Sequence, residues 1–499
     1  MRVWSLSGLA VATAILASGC ASRWDASSVP LQGSASAWRY DVVDDAKAGV
    51  LRVEAWLPPG SLADLGVRHG GERFLVDAQV EDDGAWHAVR VQRGVLHVPQ
   101  CATGCHLRYR FELRRAAELL HDVDTAKAWG DVVESPPSMW LVHPSLAPIG
   151  TRYRFRVRTA PGASFVTGVF LADEGSPGTY EADATNIGAS PYAVFGPVRL
   201  RSVEAVPGAT IDVAITPGDY AAGDDAMVAW VARSARTMAR FLGCFPLDRV
   251  MVLVTPAPGD EVRHGETMGD GGASIVVALG EDAGETTLAS DWVLPHEMAH
   301  LAVPSVSRPH HWIEEGLAVY MQPIARARAG ELTPLQVWRE LALGMPKGAP
   351  VRGDRGLDDA TDWARTYWGG ATFCLLADVE MRRRTHDRLG LEDAMRGVLG
   401  AGGSVGHMWT FARLLDAADG AVGSPVMAEM HDEMRRGVWT VDLPQVFRDL
   451  GVVVHGNDVR LTDDAPLAAV RRAITEPLRA DAPEPTACRW ASPGTMAQR

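Results

Sequence analysis

The sequence predicts an α+β fold: an antiparallel β-rich N-terminal half, a mixed segment, then a helical C-terminal region. Three observations carry this expectation. Apolar and polar residues alternate from Trp38 to about Thr216, a helical period takes over near residue 224, and glycine-jointed helical segments follow residue 320. The 499 residues are enough for two or three domains, and 47% hydrophobic with 22% charged residues describes a globular chain. A formal net charge of −14 argues against nucleic acid as a partner.

Residues 1–19 read as an export signal and not as part of the fold. Arg2 supplies the charged start, Leu6 to Leu16 a short apolar run, and Ala17, Ser18 and Gly19 the small residues. The run is too short to span a bilayer, and no other stretch is long and apolar enough to do so. It ends in LASGC, which resembles the lipobox of bacterial lipoproteins. That resemblance implies a lipid on Cys20, the new N-terminus, and hence a membrane partner. The alternative is an ordinary cleaved signal with a cysteine nearby. Ala21 and Ser22 follow, without the aspartate that retains such proteins in the inner membrane, so the expected place is the outer membrane, facing the periplasm. Residues 20–35 are small and polar, a tether.

From 36 to 216 the chain reads as one β-rich domain, a sandwich. HLRYRFEL puts Leu107, Tyr109, Phe111 and Leu113 on one face, and TRYRFRVRT does the same with Tyr153, Phe155 and Val157. Cys101 and Cys105 flank the tight CATGC and predict a small-loop disulfide in an exported chain. Cys244 and Cys374 lie in apolar stretches and read as buried thiols; Cys488 has no assignment. Val228, Val231, Ala235, Met238 and Leu242 form a helical stripe whose commonest meaning is packing. RVMVLVTP (249–256) and ASIVVALG (273–280) read as buried strands, and 291–320 as two helices. Further helices are expected near 335–345, 366–384, 391–399, 424–436 and 465–475, with a disordered Pro- and Ala-rich tail from 476 to 499.

The chemistry concentrates in one stretch. His296 and His300 are spaced i, i+4, so a helix presents both imidazoles from one face, with Glu297 about 100° round the helix from His296. This is the H-E-x-x-H arrangement, two zinc ligands and a carboxylate to take a proton from water. Pro295 requires the helix to begin close to Asp291, or to kink. A catalytic zinc needs a third protein ligand, and WIEEGLAVY (312–320) supplies a carboxylate on the next helix. His310 and His311 are adjacent, so they point apart, and read as exposed loop residues.

Here the chain resembles the gluzincin metallopeptidases, the class that includes thermolysin and the aminopeptidase N family. In that family H-E-x-x-H is followed by W-L-x-E-G-x-A, whose glutamate is the third ligand. The resemblance implies that His296, His300 and Glu315 hold one Zn2+ per chain, and leaves Glu314 at the variable position. YWGGA (367–371) resembles the Y-x-K-G element, implying that Tyr367 donates to the oxyanion, although Gly369 replaces the lysine. A thermolysin-like catalytic domain over 217–400 and a helical region over 401–475 are then expected.

Two departures limit the resemblance. The fourteen residues between His300 and Glu315 make a shorter spacer than is usual in the aminopeptidase N family. No carboxylate stands where Gly-x-Met-Glu-Asn places its amine-binding glutamate, although Glu266 or Asp270 could substitute. GDGGASIVV (269–277) is the corresponding stretch, and its Gly271, Gly272 and Ala273 are candidates for pairing with substrate backbone; plain turn residues are the alternative. The function expected is hydrolysis of peptide or protein substrates, with Glu297 as base. A catalytically silent peptide-binding or assembly lipoprotein on the same fold is the alternative. Exo- or endo-cleavage and oligomeric state are not legible.

Overall fold

The computed structural model describes residues 37–172, 178–435, 440–478 and 483–488. The export signal, Cys20 and the tether lie outside the described residues. Among those described, no helix is long and apolar enough to cross a membrane.

The alternating runs become a seven-stranded sheet. Its strands are β1 (Trp38–Asp45), β2 (Val50–Leu57), β3 (Leu75–Asp82), β4 (Ala85–Ala88), β5 (Cys105–Phe111), β6 (Arg152–Arg158) and β7 (Thr179–Asp183), in the order β7-β6-β1-β2-β5-β3-β4. Neighbours run antiparallel except β1 and β6, which are parallel. Leu107, Tyr109, Phe111, Tyr153 and Phe155 are buried, and they share one core with residues of two smaller four-stranded sheets, which makes the domain sandwich-like. The Tyr40 and Tyr109 hydroxyls donate to the carbonyls of Val142 and Trp140 at 3.0 and 2.8 Å, satisfying polar tips inside that core. Cys101 and Cys105 are disulfide-bonded.

The second half of the chain is built on a second sheet of β8 (Arg199–Val206), β9 (Ala209–Ile215), β10 (Arg249–Ala257), β11 (Val262–Met268) and β12 (Ser274–Gly280), in the order β8-β9-β10-β12-β11. The three inner strands are parallel; β8 and β11 are antiparallel edges. The expected boundary at 216 therefore falls too late, because β8 and β9 belong to this sheet. Period-2 alternation marks an edge strand in either domain and does not say which sheet it joins.

Four helices position the chemistry: α1 (Gly223–Leu242), α2 (Val293–His300), α3 (His311–Arg328) and α4 (Gly370–Thr385). Of the expected stripe on α1, Val231, Ala235, Met238 and Leu242 are fully buried and Val228 partly so. α3 is buried over nearly its whole length. Near its C-terminus Arg328 donates to Glu392 at 2.7 Å, Arg382 binds the same carboxylate, and Arg382 and Tyr320 both reach Asp378 at 2.8 Å. A buried charge network of this kind is tolerated because each member is paired and hydrogen-bonded.

The C-terminal region holds helices Phe411–Val422, Val426–Arg435, Leu443–Asp449 and Ala468–Thr475 and one hairpin. Two expectations fail at the end of the chain. Cys244 is no free thiol: it is bonded to Cys488, 244 residues away, and Cys374 alone of the two is buried and free. Thr486–Ala487 pairs parallel with Cys244–Phe245, so this part of the tail is ordered, contrary to its composition. Closing so long a loop restricts the unfolded chain by about 5 kcal/mol in the entropic account, which offsets ordering a Pro-rich segment.

Candidate active site

α2 starts where the sequence requires. Asp291 accepts hydrogen bonds from the backbone N–H groups of Val293 and Leu294 at 2.8 and 3.0 Å, and from the Trp230 indole at 3.0 Å. That cap puts Pro295 in the first turn, where its missing N–H leaves no helical bond unmade. One turn of helix then brings His296 Nε2 and His300 Nε2 to 3.3 Å. Glu315, on α3, places Oε2 at 3.5 Å from the first and 3.6 Å from the second.

Glu314 goes elsewhere. Its Oε1 accepts from the backbone N–H of Val306 at 2.8 Å, and its Oε2 lies 3.3 Å from His311 Nδ1. His311 also puts Nε2 3.3 Å from Glu315 Oε1. Gly316 explains the fixed approach of α3 to α4: a Cβ there would sit 2.4 Å from the Gly370 carbonyl carbon, and one on Gly370 would sit 2.4 Å from the Trp312 carbonyl oxygen. At the lysine position, a Cβ on Gly369 would meet the side-chain ends of Leu357 at 2.8 Å and Arg365 at 2.9 Å. Tyr367 lies in the π-helical turn Arg365–Gly369, with its ring parallel to His296 at a centroid distance of 6.1 Å.

The electrostatics follow from burial. Burial opposes ionisation of Glu315, but the His300, His296 and His311 imidazoles outweigh it and hold the carboxyl far below its ordinary range. Burial also works against the His300 imidazolium, and the Glu315 carboxylate overrides it, lifting the imidazole to about 9. Burial, then Glu315, pushes the Tyr367 phenol well up, so it remains a donor at neutral pH. Glu297 accepts from the Thr267 hydroxyl at 2.7 Å. Thr267 and Gly265 lie on β11, and a Cβ on Gly265 would sit 2.6 Å from Glu297 Cγ.

Zinc fits this set. Glu315 Oε2 is buried without a hydrogen-bond partner, facing two imidazole nitrogens, and two histidines with one glutamate form a catalytic zinc donor set. A cavity of about 760 Å³ opens beside it, lined by Trp292, His296, Val319, Gln322, Trp363 and Tyr367.

Gly271, Gly272 and Ala273 require correction. They form a buried link between β11 and β12, and their backbone is already used: Gly271 donates to Gly406 and accepts from Phe170, both at 3.0 Å, and Ala273 donates to Gly168 at 2.9 Å. A Cβ on Gly272 would lie 2.1 Å from the Gly168 carbonyl oxygen. The close approach they permit is to the β-rich domain, not to substrate. The edge of the sheet next to Glu297 is β11, which among the described residues pairs with β12 alone. Of the two candidate carboxylates, Asp270 is buried and burial, then Glu314, pushes it up to about 6; Glu266 is half-exposed on β11.

Sequence reasoning missed the acids opposite. Tyr192 donates to Asp124 at 2.9 Å, and burial followed by Glu266 raises the Asp124 carboxyl. Glu134 is fully buried with both oxygens unpartnered, and burial pushes its carboxyl well above the ordinary range. The only sequence signal was a lone glutamate in the apolar run VVES.

The fold matches the two-domain α+β arrangement of M1 zinc metallopeptidase structures, and the site presents a donor set of two histidines and one glutamate. The sequence matches no family model and no curated protein significantly. The structure is similar to an aminopeptidase N family protein from Idiomarina loihiensis, with a TM-score of 0.63 at 12% identity over 84% of this chain and 79% of that one. An M1 zinc metallopeptidase from Deinococcus radiodurans gives a TM-score of 0.52 at 15% identity over 82% and 94%. A two-domain M1 zinc metallopeptidase mutant bound to L-arginine gives 0.53 at 14% identity over 82% and 95%.

The geometry separates neighbouring glutamates. Glu315→Ala is expected to lose one equivalent of zinc relative to the parent, whereas Glu314→Ala keeps it. Zinc titration of both variants checks this, and the reverse result would move the ligand by one residue.

Proposed function

We propose that the protein is a zinc-dependent peptidase of the bacterial envelope, carried by a lipid on Cys20 at the outer membrane and facing the periplasm. The observation that supports hydrolysis is the convergence of His296 Nε2, His300 Nε2 and Glu315 Oε2, with Glu297 beside an open strand edge. The export signal supports the location, and two disulfides suit an oxidising compartment.

His296, His300 and Glu315 hold the metal. Bound there, zinc supplies Lewis acidity that polarises a carbonyl and makes water a stronger acid. Glu297 takes the water's proton and returns it to the leaving amine, its carboxylate oriented by Thr267. Tyr367, kept protonated, donates to the oxyanion. The unpaired side of β11 aligns the peptide backbone by strand addition, and the aromatic cavity receives a large apolar side chain. Glu266 and Asp124, backed by Glu134, favour a cation at the end of that strand, which selects a free substrate amine.

Glu297→Gln should retain zinc and lose about 10²–10⁴ of turnover, since an amide accepts no proton. Tyr367→Phe should lower kcat by about 10²–10³ with KM nearly unchanged. Steady-state assays with a quenched peptide library check both. Full activity in Glu297→Gln would remove the mechanism, and a parent that binds peptides without turnover would favour the silent-lipoprotein alternative.

For the amine, acetylated peptides should be cut at least tenfold more slowly than free ones, by the loss of one charged contact of about 1.4 kcal/mol or more. Equal rates would exclude amine selection.

Anchoring is checked by fractionation. Cys20→Ala should leave the membrane fraction or remain unprocessed, because the lipid supplies the attachment. Unchanged membrane association would assign the anchor elsewhere.

A further inference from the structure

Among the described residues, only two groups bring three His, Cys, Asp or Glu ligand atoms within 4.8 Å of one another: the set above, and His310, Asp358 and His431. The second set is assembled from three distant segments. His310 closes the turn Arg308–His310 before α3, Asp358 lies in the turn Leu357–Asp359, and His431 is on helix Val426–Arg435. His310 Nδ1 is 3.1 Å from Asp358 Oδ1, and His431 Nε2 is 3.0 Å from Oδ2.

His310 and His431 reach different oxygens of Asp358, and one ligand atom from each of the three residues lies within 4.8 Å of the others. Ligands at about 2.0–2.1 Å from a tetrahedral zinc stand about 3.3 Å apart. Both rings are held by Phe411, which stacks on His310 at 4.3 Å and meets His431 edge-on at 4.8 Å. The Trp312 indole donates to Asp358 Oδ1 at 2.9 Å, the kind of outer hydrogen bond that orients a ligating carboxylate.

Access is also present. A cavity of about 720 Å³ opens on His310 and His431, and Asp416 and Asp432 line it. The one arginine in that lining, Arg435, lies 3.3 Å from Asp432, which offsets its charge.

We propose that His310, Asp358 and His431 form a second zinc site, structural in role, with water from the cavity completing the coordination. It ties the loop before α3 and the 357–359 turn to the C-terminal helices, and so fixes the end of the helix that carries Glu315. The site stands independently of the peptidase reading, because none of its residues belongs to the first set.

The test is zinc content by elemental analysis after equilibration in zinc-buffered solution, with folding followed by circular dichroism. Two equivalents are expected in the parent, one in Glu315→Ala, one in His431→Gln, and none in the double variant. Asp358→Asn, which keeps hydrogen bonding but removes the charge, should also fall to one and serves if His431→Gln does not fold. Zinc should raise the thermal midpoint of Glu315→Ala and leave the double variant unmoved. If zinc in the parent vanishes with Glu315→Ala alone, the cluster is only a hydrogen-bonded clamp and the proposal fails. If it vanishes with His431→Gln alone, the second site stands and the first one fails.

Discussion

Glu315 sets the terms for the C-terminal half, because a carboxylate buried beside two imidazoles is stable only where opposite charge meets it. Its Oε2 has no hydrogen-bond donor, and the compensation comes from the His300, His296 and His311 imidazoles around the carboxylate. The neighbouring packing serves that point. Gly316 and Gly370 let two helix backbones approach closely enough for Tyr367 to lie over His296, and Glu314 is drawn off to the Val306 amide. Without the first contact Tyr367 would stand away from the metal set; without the second, two carboxylates would compete for one ion.

What was legible in the sequence was what covalent spacing enforces. An i, i+4 pair shares a face in any helix, so His296 and His300 could be named from spacing alone, whereas choosing Glu315 over Glu314 rested on the resemblance of W-x-x-E-G to the aminopeptidase N family. The α+β order was legible for the same reason, since period and composition are local. The rest was decided by long-range pairing. β8 and β9 alternate like the strands before them, yet they join the second sheet through β10, more than thirty residues on. The polar run of β11 gave no apolar alternation, so the true edge strand escaped and the glycines after it were read in its place. Cys244 and Cys488 could not be matched across 244 residues, and a Pro-rich composition hid a tail that the bond orders. His310 and His311 do point apart: His311 is exposed as expected, while touching both glutamates, and His310 is partly buried against Asp358.

The β-rich domain does more than precede the site. Its 168–170 segment is hydrogen-bonded to Gly271 and Ala273, immediately after β11, which holds the edge strand against the rest of the molecule. The same domain supplies Asp124 and Glu134 across from Glu266. The domain thus fixes both the position of the strand and the charge at its end. A C-terminal half cut away at the expected boundary would lose two strands of its own sheet together with Asp124 and Glu134.

The start of α3 is pinned from several directions within six residues. His310 and Trp312 reach Asp358, Glu314 reaches Val306, and His311 contacts both glutamates. A helix N-terminus already favours negative charge, and here it carries two carboxylates in its first turns. Electrostatics alone would leave either carboxylate free to serve the metal. The cluster around Asp358 removes that freedom by fixing the rotation of the first turn, since Trp312 and Glu315 are three residues apart and face nearly the same direction. Holding the indole on Asp358 is therefore also a way of aiming Glu315.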